Sequence, residues 1–468
     1  MAALNALLRE FCRTSGPFAP FVLALTLLAM LAGCASVPDT TLLRERQAQS
    51  QRAADMSRKS YAQAAQIAGK LGGDRAQRDF LAHHLAVEEA VSDAPLVPGN
   101  QVRLLVDGRT AYAAMLQAIA QARRYIHMET YIFEDDEDGR RFADALIAAR
   151  ARNVEVAVMV DAVGTIDTPD ALFERLRTAG VQVTVFNPLN PARARGGWSP
   201  NERNHRKVLV VDAQVGFLGG MNISSVYSSG SSGGDEPQQA PWRDTHLEIR
   251  GPGVAELEEI LLAGWESQGG PPLRRWILPP ASGQGDLTVR VLANRPGDDD
   301  GYTVYLTLMS AFASARQSIH ITMAYFVPDP AFVDVLVQAA QRGVDVVLVL
   351  PGFSDSSLVL HAGRSHYEDL LRGGVKIYER RDALLHAKTA VVDGVWSTVG
   401  SSNMDWRSFA LNYEINAVIL GADFARQMEA QFTRDVAAST QVTPDAWKQR
   451  GIDDRFMEFL SRLFQRWL

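Results

Sequence analysis

One short phrase is written twice in this chain, and the repetition limits what the chain can fold into more than any other feature. Asn204-His205-Arg206-Lys207 leads through an apolar run to Asp212 and then to Gly219-Gly220-Met221-Asn222. His386-Ala387-Lys388 leads through a second apolar run to Asp393 and Gly400-Ser401-Ser402-Asn403. Both copies read H-x-K-x4-D-x6-G-[GS]-x-N, and each element of the second follows its partner at one constant interval.

The surroundings of the phrase repeat as well. Tyr125 to Tyr131 and Ser318 to Tyr325 alternate as strands do, and each precedes a segment of helical period, Arg140 to Arg152 and Pro330 to Arg342. Strands follow again at Val154 to Val158 and Val344 to Leu348. Strand-helix alternation in duplicate predicts two α/β domains, each a mixed, mostly parallel sheet flanked by helices, packed around a pseudo-twofold cleft. The expected boundaries are 99–265 for the first domain, 266–287 for a Gly/Pro-rich linker and 288–440 for the second. With 468 residues, 47% of them hydrophobic, the chain can fill two cores.

Each His-x-Lys pair sits where a strand of period two would aim both side chains to one side. Two facing imidazoles can divide the work of a substitution, one attacking while neutral and the other giving up a proton. Lys207, Lys388, Asn222 and Asn403 supply donors for the oxygens of a phosphoryl group between them. This inventory calls for no metal and no other cofactor. Glu129, Tyr131 and Tyr325 fit either a cleft lining or a partly buried strand end. His83, His84, His127, His320, His361 and His366 lack a second ligand or nucleophile at useful spacing and read as framework or surface.

The duplicated phrase resembles the HKD signature of the phospholipase D superfamily, over approximately residues 100 to 440. The resemblance implies a covalent phosphohistidine, with His205 as nucleophile and His386 as acid. Asp212 and Asp393 belong to the same phrase, with a structural part. Ser401 joins Asn222 and Asn403 at the phosphate, and an acid downstream of each copy orients a histidine. Glu414 fits that place in the second copy, and Asp244, beyond the Gly/Ser-rich insertion Ser228 to Pro241, is the candidate in the first. Gly220 departs from the pattern where Ser401 keeps it.

Further phrases resemble bacterial cardiolipin synthases: Trp242-Arg243-Asp244-Thr245-His246-Leu247, Ala324-Tyr325-Phe326-Val327-Pro328, and Asp355-Ser356-Ser357 through Tyr367 to Gly374-Val375. They imply phosphatidyl transfer, with phospholipid substrates and phosphatidylglycerol foremost. Hydrolysis to phosphatidic acid is the alternative, followed by an HKD nuclease and a non-catalytic lipid-binding lipoprotein. A formal net charge of −7 lacks the dominant basic footprint of a nucleic-acid binder. Oligomeric state has no signature in the chain.

At the amino terminus, Arg9 and Arg13 precede an apolar stretch from Phe18 to Met30 and Leu31-Ala32-Gly33-Cys34, which resembles a bacterial lipoprotein signal, 1–33, with acylation at Cys34. The following Ala35 and Ser36 favour the periplasmic side of an outer membrane. Residues 34–98 read as a helical tether or brace ahead of the first domain. Over 441–468, Phe456, Phe459, Leu460, Leu463, Phe464 and Trp467 recur at helical spacing among Arg455, Arg462 and Arg466. The first expectation for this stripe is docking on the protein's own core, with a lipid surface as the alternative. Arg193, Arg195 and Trp198 form a loop that suits either a lipid headgroup or solvent.

Overall fold

The computed structural model describes residues 58–71, 73–92, 94–190, 198–230, 239–274, 283–296 and 302–465. The signal with Cys34, Arg193, Arg195, the middle of the 228–241 insertion, Arg466 and Trp467 lie outside them.

The first half contributes β1 (Val97–Leu105), β2 (Tyr125–Thr130), β3 (Glu155–Asp161), β4 (Gln182–Phe186), β5 (Arg203–Asn204), β6 (Val208–Val211), β7 (Val215–Gly219) and β8 (His246–Arg250). The second contributes β9 (Leu287–Asn294), β10 (Ser318–Met323), β11 (Phe326–Val327), β12 (Asp345–Pro351), β13 (Lys376–Arg380), β14 (Lys388–Val392), β15 (Trp396–Gly400), β16 (Met404–Asp405), β17 (Asn412–Leu420) and β18 (Ser439–Val442). All but β11 and β16 join one sheet, in the order β18-β13-β12-β10-β14-β15-β17-β9-β1-β8-β7-β6-β2-β3-β4, with β5 on β17. Outward from the central β9–β1 pair, the order of parts is the same in each half, with β18 added at the outer edge of the second.

The α/β class and the duplication are as expected, and the strand sense is not. Only β2, β3 and β4, and β10, β12 and β13, run parallel along this path; the other neighbours are antiparallel. The cause is local. The turn after each motif aspartate closes a hairpin, β6–β7 or β14–β15, and hairpins are antiparallel by construction. The halves also share a sheet, because β1 and β9 pair edge to edge and remove two exposed edges at once.

Val208 to Val211 is buried throughout, as a strand covered on both faces requires. Leu209 and Val211 pack in the core that holds Tyr112 and Phe142, while Val208 and Val210 pack with Leu257 and Phe424 on the other face. His127 and His320 are framework in equivalent places: their Nδ1 atoms meet Glu258 at 2.6 Å and Glu429 at 2.7 Å. The helix Arg75–Val91, expected ahead of the first half, packs on the second instead. There Glu88 takes a hydrogen bond from Arg290 at 2.8 Å and His84 meets Ser310 at 3.0 Å.

The helix Ile452–Leu463 overturns another expectation. Its apolar stripe does not dock on the core: Ile452 is 84% exposed, and Phe456, Phe459 and Leu463 are each 62% exposed. The buried side chains are Glu458 and Ser461. Helical spacing makes a stripe, but it does not say which side the protein covers.

Candidate active site

β6 begins where the parallel strands β2 and β3 of its half finish, and β14 where β10 and β12 of the other half finish. His205 and His386 stand just before them, and both line one cavity of about 380 Å³. Tyr131, Tyr325, Asn222 and Asn403 also line it, as does Trp242 at the end of the insertion. Glu129 does not: it is buried beneath, accepting from Asn204 Nδ2.

The orienting acids are exchanged between halves. His205 Nδ1–H donates to Glu414 of the second half at 3.0 Å, and His386 Nδ1–H donates to Asp244 of the first at 2.7 Å. Backbone pairing builds this exchange twice. β5, just before His205, lies parallel to β17, and the His205 N–H donates to the Tyr413 carbonyl at 3.0 Å. Likewise Arg243 bridges to Leu385, and the His386 N–H donates to the Arg243 carbonyl at 2.8 Å. Arg243 in turn forks onto Asp435 of the second half at 2.8 and 2.7 Å.

Asp244 and Glu414 are equivalent in register despite the insertion. Gly219 pairs with His246 and Gly400 with Asn416, so each acid lies two residues before the partner of a motif glycine. Because each carboxylate claims Nδ1–H, Nε2 is left as the reactive nitrogen of both rings. Lys388 Nζ approaches the same Nδ1 of His386 at 3.0 Å, but two donors cannot share it, and the carboxylate is the partner that the proton requires.

Burial takes His205 down to about 4, against the pull of Glu414, so its imidazole is neutral at neutral pH. Burial and Lys388 also lower His386, with Asp244 opposing. Lys388 is brought down to about 8 and Lys207 well below its usual value, both mainly by burial. Each ammonium donates back to the carbonyl of its own histidine. Four buried basic groups in one cleft make a receptor for an anion. A seated anion favours the charged form of each of these groups.

Asp212 and Asp393 stand at the far ends of β6 and β14. Asp212 accepts from the N–H groups of Arg123, Arg124 and Tyr125, each at 2.8 Å, and Asp393 accepts from Arg316, Gln317 and Ser318. They pin turns and take no part in the cleft. Ser401, expected at the phosphate, is also elsewhere: its hydroxyl donates to Glu414 and accepts from the Ile415 N–H at 3.0 Å. The first half has no room for such a serine, since a Cβ on Gly220 would collide with the Asp244 carboxylate. Asn403 Oδ1 is buried without a partner, and Asn222 holds the Ile132 N–H at 3.1 Å and the Tyr227 hydroxyl at 3.1 Å.

Several cavity residues carried no signal in the phrase. Tyr227 and Trp242 stand over His386 with ring centroids 5.7 and 5.5 Å away, Asp355 accepts from the Tyr325 hydroxyl at 2.7 Å, and Asp405, Arg203 and Arg407 complete the wall. Trp242, Tyr325 and Asp355 do fall within the longer phrases quoted above, which was the available clue.

Two half-sites that lend each other carboxylates around paired imidazoles, on a duplicated α/β chain, define an enzyme of the phospholipase D superfamily. Residues 115–229 and 308–436 match the family model described as cardiolipin synthase, PLD-like domain, and the chain belongs to that family. A cardiolipin synthase of Alkalihalophilus pseudofirmus is 35% identical over 399 residues, 84% of this chain and 76% of its own. Cardiolipin synthase A of Pseudomonas aeruginosa is 38% identical over 353 residues, 75% and 70% of the two chains. A phosphatidylserine synthase structure from Haemophilus influenzae shares the fold, with a TM-score of 0.62 at 13% identity over 81% of this chain and 96% of that one.

Proposed function

We propose that this protein is a membrane-anchored phosphatidyltransferase of the cardiolipin synthase type, working through a phosphohistidine. The observation that carries the reading is the pair of imidazoles on one cavity, each held at Nδ1 by the other half's carboxylate.

The donor lipid's phosphate sits among Lys207, Lys388, Asn222 and Asn403. Nε2 of His205 attacks phosphorus in line, the P–N bond forms as the P–O bond to the headgroup breaks, and His386 passes its proton to the departing alkoxide. That proton is held because the phosphodiester's negative charge raises the imidazole. In the second step neutral His386 takes the proton from a glycerol headgroup hydroxyl of phosphatidylglycerol. The resulting oxygen attacks phosphorus, the P–N bond breaks and cardiolipin leaves. One phosphodiester replaces another, so no nucleotide is consumed.

The lipobox-like sequence ending at Cys34 supports an acylated anchor in the cell envelope, on the periplasmic side of an outer membrane. The test of function is to incubate purified protein with phosphatidylglycerol vesicles and separate the lipids. Cardiolipin plus free glycerol is the expected product, abolished in His205→Ala and in His386→Ala. Phosphatidic acid alone would make the protein a hydrolase instead.

A further inference from the structure

The described residues with large, exposed apolar side chains are Ile166, Leu189, Leu358, Ile452, Phe456, Phe459, Leu460, Leu463 and Phe464. Scattered singly over a surface they would need no explanation, but six of the nine are gathered on one helix and the residue after it. Ile166 follows the end of β3, Leu189 the end of β4 and Leu358 the end of β12, each at the C-terminal end of its own half's parallel strands, where that half's histidine stands. The remaining six lie on or just after the helix Ile452–Leu463, which packs on the helix Ser357–Arg364. That second helix carries Leu358 and places Val359 in the wall of the cavity. An apolar surface therefore runs from the outer helix to the mouth of the site.

The outer helix is fixed with its polar side down. Arg450 ties Glu458 at 3.1 Å and lies over the Trp447 ring at 4.4 Å, and Gln465 meets His366 at 3.2 Å. Holding an amphipathic helix this way leaves the stripe of phenylalanines and leucines facing water, which is costly unless something covers it.

We infer that this helix, with Leu358 at the cavity rim, lies on the surface of the phospholipid bilayer and presents the cleft to the lipids there. The inference rests on the lipid-transferase reading, because continuity with the mouth of a lipid-handling cavity identifies the occupant. A helix of 12 residues is about 18 Å long, too short to span a hydrocarbon core of about 30 Å, so it lies in the plane. Its sequence has Asp453, Asp454 and Glu458 against Arg455 and Arg462, without a basic excess. Apolar insertion is then the driving force, and neutral lipid serves as well as anionic.

The test uses the full chain in phosphatidylcholine vesicles, with a fluorophore at Phe459→Cys in a background lacking Cys12 and Cys34, and lipids brominated along their acyl chains as quenchers. Quenching at 459, and none at a Gln214→Cys control on the β6–β7 turn, at the far end of β6 from His205, is expected. Equal fluorescence with and without brominated lipid at 459 would overturn the inference. So would burial of the probe through self-association, seen as a dimer by sedimentation that the triple variant Phe456→Ser, Phe459→Ser, Leu463→Ser dissolves. The triple variant should lose tenfold or more of its turnover on vesicles while keeping wild-type turnover on monomeric short-chain phosphatidylglycerol. Equal loss on both substrates would also overturn it. Because quenching is read without catalysis, a protein that inserts but does not turn over phosphatidylglycerol would refute the function alone.

Discussion

Glu414 accepts a hydrogen bond from His205 at 3.0 Å, although the two residues come from different halves of the chain. Asp244 does the reverse for His386 at 2.7 Å. Neither half holds a complete set of groups, so the duplication is catalytic in its consequences as well as architectural.

Glu414→Gln should disable His205 and Asp244→Asn should disable His386, each lowering kcat by about 10² to 10⁴-fold with the fold retained. The double variant should be little worse than either single, since the groups act as a unit. Steady-state rates with circular dichroism check this, and two small additive losses would contradict it.

Lys388, at about 8, and Asp405, at about 7 through burial with Glu414 nearby, both titrate beside the cleft. As pH rises from 7 to 9 the lysine loses its positive charge and the aspartate gains a negative one. Both changes oppose an anionic substrate, so KM should climb over that window. Asp405→Asn should remove the lower part of the rise. A KM flat from pH 7 to 9 in the wild type would contradict the account.

Asp212→Ala leaves three N–H groups at a chain turn without their acceptor. A loss of about 1–3 kcal/mol in unfolding free energy is expected, because the turn is partly open to water, while turnover per folded molecule stays near wild type. Urea denaturation and active-site titration separate the two effects.

Gly220→Ser restores the serine that the second copy carries, and it should nevertheless impair the enzyme. Its Cβ would drive into Asp244 and displace the carboxylate from His386. Rates below wild type, with the thermal midpoint barely changed, would support this; unchanged kcat would not.

The repeated phrase made both histidines, both lysines and the duplication legible, because a motif at a constant interval is a local property of sequence. Asp244 was legible only through its Trp-Arg-Asp-Thr-His phrase, since the insertion disguises a register that the pairing of Gly219 with His246 restores. The exchange of acids was not, as it depends on β5 pairing with β17 across two hundred residues of chain. Ser401 was misplaced because a hydroxyl beside a phosphate motif looks the same whether it faces the ligand or the carboxylate behind it. The sheet's strand sense is set by the hairpins after Asp212 and Asp393, which strand-helix alternation does not reveal, and the outward face of the last helix by Glu458 and Ser461 packing inward.

The central claim is that phosphorus passes through a bond to His205 Nε2. Wild-type protein denatured in alkali during turnover of phosphatidylglycerol, then digested and weighed by mass spectrometry, should carry a phosphatidyl group, or the glycerophosphoryl group left when alkali removes its acyl esters, on the peptide containing His205. His205→Ala should carry none. Steady cardiolipin formation with no adduct at His205, or with the adduct on another residue, would contradict the account.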